Sequence, residues 1–200
     1  MNKIKIHAFF KRLDANLGET ATVIIVGASA ASLMGHVRPS FDIDFEIRLK
    51  RNVRAKKSRL AKAIIQSAQE TGVAVNFSEN IGGWSMINYL DYRKTAVSYK
   101  RFGKLDVKII EPAYWTIGKM TRFLELDVQD MVKIIRKKKI QPKRLIGIWA
   151  QAFKISSLSL ELGQFKDHVL YFLKSYSNKI WGKEIEAQTL IQFFLKQSGA

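Results

Sequence analysis

Cysteine is absent from the 200-residue chain. That excludes disulfides, zinc thiolate sites and thiol nucleophiles, and it agrees with a reducing cytoplasm. Histidine is scarce: His7, His36 and His168 lie far apart, and no metal-ligand spacing links them. Proline occurs only 3 times while 47% of residues are hydrophobic, so the chain has the material for a packed core and not the composition of a disordered segment. No apolar run reaches the roughly 18 residues that cross a bilayer. The opening MNKIKIHAFFKRLDANL scatters charge where a signal peptide would carry an apolar stretch. A cytoplasmic protein with no membrane span is the expectation. Acid is also in short supply, 17 Asp and Glu against 34 Lys and Arg, for a net charge of +17. Such an excess speaks to partners more than to fold.

The positive charge is concentrated. Arg48 to Lys62 holds eight basic residues and no acid, and Met131 to Leu160 holds another eight and no acid, densest at KIIRKKK. Either run alone would serve as a solvated face. Two runs in one chain point to a polyanion, most simply the phosphates of RNA or DNA, with an anionic membrane surface as the weaker match.

Periodicity divides the chain. Apolar residues at helical spacing predict a helix over His7 to Leu17, closed by Gly18. The continuous run Ala21 to Val26 predicts a strand covered on both faces. Gly27 supplies a turn, and the small residues after it predict a short helix. FDIDFEIRL alternates strictly and reads as a strand. Ala55 to Thr71 reads as an amphipathic helix and Val73 to Phe77 as a strand. Ile81 to Asp91 is ambiguous. Thr95 to Arg101 and Lys104 to Ile110 read as a hairpin turning at Gly103. Pro112 then opens a helical region, with helices expected over Ala113–Leu124, Val128–Lys138, Lys143–Ile155, Phe165–Ser175 and Lys183–Lys196. The expected fold is α+β: a small mixed sheet flanked by helices in residues 1–111, then a helical bundle in 112–200.

The second strand carries the chemistry. Successive strand residues point to opposite faces, so Asp42, Asp44 and Glu46 share one face and Ile43, Phe45 and Ile47 the other. Close carboxylates repel unless a cation lies between them, and hard oxygen donors suit Mg²⁺ or Mn²⁺. Asp106, in the alternating strand KLDVKII, is the candidate third carboxylate. Three carboxylates on neighbouring strands would hold metal ions that clamp a triphosphate. The turn at Gly27 would offer backbone N–H groups to a phosphate, with Ser29 or Ser32 adding a hydroxyl. The same aspartates would also serve as charges that block edge-to-edge pairing or as partners of Arg38 and Arg48. Asp106 would also pair across its hairpin with Lys104 or Lys108. Asp127 and Asp130 would also serve as an N-cap and a capping-box acid ahead of VQDMVKII. The tryptophans and tyrosines, Trp84, Tyr89, Tyr92, Tyr99, Trp115, Trp149 and Trp181 among them, would stack on bases or fill a core.

The stretch VGASAASLMGHVRPSFDIDF resembles the signature of the nucleotidyltransferase superfamily, and more closely that of AbiEii-type toxins and related nucleotidyltransferase-like proteins. Gly27, Arg38, Ser40, Asp42 and Asp44 match its first block. WTIGKMTRFLELDVQDM is similar to the second, with Lys119, Arg122, Asp127 and Asp130 as the matching residues. The resemblance covers roughly residues 20 to 135. It implies transfer of a nucleoside monophosphate from an NTP to an acceptor with Mg²⁺ or Mn²⁺, the acceptor being the 3′ end of tRNA in several toxin members. It implies Asp42 and Asp44 as metal ligands, Gly27, Ala28, Ser29, Arg38 and Arg122 around the nucleotide, Lys119 on its phosphates and Asp127 or Asp130 completing the site. It further implies the toxin of a toxin–antitoxin or phage-defence pair, with an antitoxin protein as partner. Two departures stand out: Ala28 replaces the family's Gly or Ser, and Glu125-Leu126 stand where the second block carries an Arg. They leave open a catalytically weakened relative that binds nucleic acid or an acidic protein partner.

Overall fold

The computed structural model describes residues 2–35, 40–50 and 55–200. The first helix, α1 (Lys3–Leu17), begins earlier than its apolar spacing predicts. The reason is Asn2, whose Oδ1 accepts the Lys5 N–H at 3.0 Å and caps the helix. Strand β1 (Ala21–Ile25) follows, then the short α2 (Gly27–Leu33), β2 (Asp42–Leu49), α3 (Ala55–Thr71) and β3 (Ala74–Ser78). The ambiguous stretch resolves into a 3-10 turn at Ile81–Trp84 and an irregular segment ending in the one-turn α4 (Tyr92–Thr95). The hairpin β4 (Val97–Phe102) and β5 (Leu105–Ile109) comes next.

The five strands form one mixed sheet in the order β3-β2-β1-β5-β4. β1 runs antiparallel to β2 and parallel to β5, and β2 runs parallel to β3. β1 is therefore central and four of its five residues are buried, but exposed Thr22 corrects the expectation of cover on both faces. Period-two alternation sorts the faces. Ile43, Phe45, Ile47, Val23, Ile25, Leu105 and Val107 are fully buried. On that side α1 lays down Phe9 and Phe10, whose rings lie 5.8 and 5.7 Å from Phe45, and Phe10 reaches Phe102 at 6.0 Å. The opposite face carries the polar set: Asp42, Asp44, Glu46 and Arg48 on β2, Thr22 on β1, and Asp106 and Lys108 on β5.

The chain divides into two compact units. One comprises residues 1–81 and 93–110, and the other residues 82–92 and 111–200. The division is thus not one cut near residue 111, because residues 82–92 belong with the helices. Hydrogen bonds explain this: Ser85 Oγ and the Met86 N–H donate to Glu161 at 3.0 and 2.9 Å, and the Asn88 N–H donates to Ser156 Oγ at 2.8 Å.

The helical unit contains α5 (Pro112–Arg122), α6 (Glu125–Lys137), α7 (Pro142–Ile155), α8 (Leu160–Trp181) and α9 (Ala187–Ser198). Pro112 occupies the first turn of α5 as expected, and Glu111 caps it by accepting the Ala113 N–H at 2.9 Å. α8 runs through Gly163, where a break is expected from sequence, because buried Leu162, Phe165, Val169, Phe172 and Leu173 hold it on the core. Trp149 is fully buried and its indole N–H donates to Thr116 Oγ1 at 2.8 Å. No described helix is long and apolar enough to cross a membrane.

Candidate functional site

The site is built on the end of β1. The Val26 N–H donates to the Asp44 carbonyl at 2.9 Å, which brings the glycine turn level with the second aspartate of D-x-D. Gly27 adopts φ +59, a conformation L side chains rarely take. A Cβ there would fall on the Asp44 carboxylate, with Asp44 Cγ at 2.8 Å. Glycine at this position therefore does two things: it makes the turn, and it leaves the volume that the Asp44 side chain occupies. Asp44 is half-buried, and Asn76 of β3 donates to its Oδ1 at 3.2 Å. Asp42 is half-buried, and the Ser40 hydroxyl lies 2.7 Å from its carbonyl and 3.3 Å from its carboxylate. Asp42 and Asp44 thus share a face, as alternation predicts, next to the glycine.

Glu46 shares that face but has a different occupation. It is buried, with Arg93 Nε donating to Oε1 at 2.6 Å and Arg93 Nη2 to Oε2 at 3.0 Å, and with the Ile81 N–H donating to Oε2 at 3.1 Å. A carboxylate held by a guanidinium fork and a backbone amide is a fixed structural anion. Neither Arg93 nor Asn76 is expected from sequence. Asn76 had a faint signal, a polar residue inside VAVNF. Arg93 had none, since it lies 47 residues from its partner.

Asp106 is not beside the aspartate pair. It is level with Thr22 on β1, and Thr22 is level with Arg48 on β2. Arg48 lies four residues beyond Asp44, or about 13 Å along the strand. The cause is register: parallel pairing of β1 with β5 places Lys108, not a carboxylate, level with Ile24 and Glu46. Asp106 instead lies 3.9 Å from Lys108 Nζ. Among the described residues no group of three or more His, Asp or Glu is placed to hold a metal ion.

Ser29 turns inward. It is fully buried, and its hydroxyl donates to the Val26 carbonyl at 3.0 Å. The expected phosphate hydroxyl is thus committed to the first turn of α2. Ala28 is half-buried in that turn. Arg38 and His36 lie outside the described residues.

The second block forms a network inside the helical unit. Lys119 Nζ donates to Asp127 at 2.7 Å and Asp130 at 3.2 Å, and its side chain is 4% exposed. Arg122 grips Asp127 with two bonds of 2.6 and 2.7 Å. Burial pushes the Asp127 carboxyl up, but the hydrogen bonds and charges of Arg122 and Lys119 outweigh it and hold its pKa below the ordinary value. The N-cap expectation for Asp127 is corrected. α6 starts at Glu125 after Leu124, so Asp127 is its third residue and faces the cations of α5. Lys119 also lies 5.3 Å from the centre of the Trp115 ring. Of the aromatic residues considered for base stacking, Tyr92, Trp115 and Trp149 are buried and Trp84 is exposed. No family model, no curated protein and no solved structure matches the chain.

Proposed function

We propose that the chain is a metal-dependent nucleotidyltransferase, which moves a nucleoside monophosphate from an NTP to an RNA acceptor such as tRNA, with Asp42 and Asp44 at its centre. One observation carries the reading: Gly27 and Asp44, 17 residues apart in sequence, meet so closely that the glycine's missing side chain is the space the carboxylate fills. Gly103 shows a like fit against Asp14 in the hairpin turn, so the weight lies in the partner: Asp44 is the second aspartate of the D-x-D pair, on the face of β2 that it shares with Asp42.

The donor set suits the metal. Mg²⁺ keeps several waters and binds through one or two carboxylates plus substrate phosphates, and a half-buried pair of carboxylates on one face suits it. When bound, the metal supplies charge neutralisation to the triphosphate and the attacking hydroxyl. In the transfer itself the acceptor oxygen forms a bond to the α-phosphorus, the bond to the bridging oxygen breaks, pyrophosphate leaves and the hydroxyl proton passes to solvent. The protein's own part is positional. β2 fixes both carboxylates on one face, Asn76 orients Asp44, and Gly27 admits it. Lys119, Arg122 and Asp127 enter this reading as an internal frame of the helical unit, because their charges are mutually satisfied. The toxin context implied by the resemblance belongs to the same proposal.

The test is incubation with each labelled NTP, Mg²⁺ or Mn²⁺ and total tRNA. Transfer of label by the wild type is expected, and Asp42→Asn or Asp44→Asn should lower the rate about a hundredfold or more, the equivalent of several kcal/mol of transition-state stabilisation. A second reading is favoured by Asp106 standing away from the pair and by Ala28 in the turn: a weakened transferase fold that binds nucleic acid or an acidic protein. Absence of label transfer with all four NTPs, beside salt-sensitive RNA binding, would decide for it.

A further inference from the structure

The polar face of the sheet does not end at the carboxylates. Farther along it lies an open groove of about 610 Å³, where the described lining sets five cations, Arg48, Lys50, Arg93, Arg101 and Lys104, against two carboxylates, Glu46 and Asp106. Both acids are already engaged, Glu46 by Arg93 and Asp106 by Lys108. Lys104 Nζ donates to the Gly18 carbonyl at 2.8 Å, and Arg101 Nε to the Gly103 carbonyl at 3.0 Å. That leaves the outer nitrogens of Arg101 and the whole heads of Arg48 and Lys50. All three residues are exposed, and none has a carboxylate partner among the described residues.

Strand pairing sets these charges in a row. Arg48 on β2, Thr22 on β1, Asp106 on β5 and Arg101 on β4 are successive Cα partners across four strands. Three strand spacings put the two arginines about 14 Å apart. Asp106 stands between them. Its charge disfavours a single phosphate centred on the row, while phosphates to either side meet the arginines. Among the described residues no aromatic side chain lines the groove, so none of them stacks on a base there.

We infer that this groove is the seat of the acceptor, holding successive phosphates of a single RNA strand on Arg48, Lys50 and Arg101, on the same face as Asp42 and Asp44. The assignment rests on the RNA-acceptor part of the proposed function. A strand crossing the row, with its end about 13 Å farther along β2 at Asp44, presents a terminal hydroxyl to the carboxylates while its earlier phosphates lie on the cations. Recognition is through the backbone, so binding is steep in salt and indifferent to sequence.

The experiment is fluorescence anisotropy of a labelled oligouridine RNA against the full chain at several salt concentrations. Replacing Arg48, Lys50 and Arg101 together by Gln should reduce the slope of log affinity on log salt by about 2, at about 0.7 per single-strand phosphate contact, with affinity down about tenfold or more. A control triple in the helical unit and outside both basic runs, Lys174→Gln, Lys179→Gln and Lys183→Gln, removes the same charge from exposed positions and should change much less. Asp106→Asn should tighten binding, a gain that a misfolded variant cannot mimic. Equal losses from the two triples, an unchanged slope in the groove triple, or no tightening by Asp106→Asn would each overturn the inference. So would poly-glutamate binding as tightly as the RNA and weakening equally in the groove triple, because the groove would then be a general anion surface. Label transfer by the wild type separates the two readings: if none occurs yet the groove triple still loses RNA, the transferase reading falls, and the acceptor role with it, while the groove stands as an RNA-binding site.

Discussion

At the scale of single residues, Gly27 is, like Gly103 against Asp14, a position where conformation and packing coincide. Gly72 provides its control: it has φ +61, but no described atom lies within 4 Å of the place a Cβ would take. Gly72→Ala should therefore cost only the left-handed strain, about 1–2 kcal/mol. Gly27→Ala should cost that plus roughly 1–3 kcal/mol of overpacking against Asp44. Asp44→Ala in the Gly27→Ala background should recover the excess. Denaturant titration of the four proteins measures each term, and equal costs at the two glycines would mean that Asp44 moves aside freely. His7 offers a second residue-level test. Its Nε2 lies 2.6 Å from the Tyr99 hydroxyl. Burial first, then the charges of Lys100 and Lys3, lower its pKa below 6.5. A lowered folded-state pKa means the unfolded chain takes up the proton first as pH falls. The His7 contribution is thus complete above pH 6.5 and is lost on acidification through 6.5 toward the folded value. The melting temperature should decline between pH 7.5 and 5.5, and His7→Gln should flatten that decline.

At the scale of elements, α5 and α6 are joined by charge as well as by apolar contact. Lys119→Met would leave Asp127 and Asp130, each with a side chain only 1% exposed, short of their shared cation. A loss of about 3–5 kcal/mol is expected. Adding Asp127→Asn and Asp130→Asn should return much of it, because the stranded charges disappear. The wild-type network should also weaken in acid: with its pKa lowered, Asp127 stabilises the fold above pH 3.8 and loses that contribution below it. Chemical denaturation of the variants at pH 7 and of the wild type from pH 5 to 3 tests both. Elements of this kind were legible in the sequence as elements. The unbroken apolar run became the central strand, FDIDFEIRL its half-exposed neighbour, Gly103 the hairpin turn with φ +52, and Pro112 the start of α5. What linked them was not legible. The pairing of β1 with β5 sets Asp106 level with Arg48, and period-two alternation gives a residue's face but not its height along a neighbouring strand. The burial of Lys119 was hidden for a like reason, since three-residue spacing of Lys119 and Arg122 reads the same on a wet face as on one that meets two aspartates.

At the scale of the whole molecule, the net charge of +17 bears on stability. Like charges repel most in the compact state, and salt screens that repulsion within about 10 Å at 0.1 M. Raising NaCl from about 20 to 200 mM should therefore raise the melting temperature, and a fall would mean that the surviving ion pairs outweigh the excess cations. The same order of strands has a bearing on the birth of the protein at the ribosome. β1 is the middle of the sheet, yet its parallel neighbour β5 lies about 80 residues later in the chain. At 5–20 residues per second, roughly 4 to 16 seconds separate their synthesis. For that interval the most apolar strand of the nascent chain has β2 on one side and an unpaired edge on the other. A trigger for chaperone capture, or for aggregation when chaperones are scarce, is thereby written into the order in which the strands emerge.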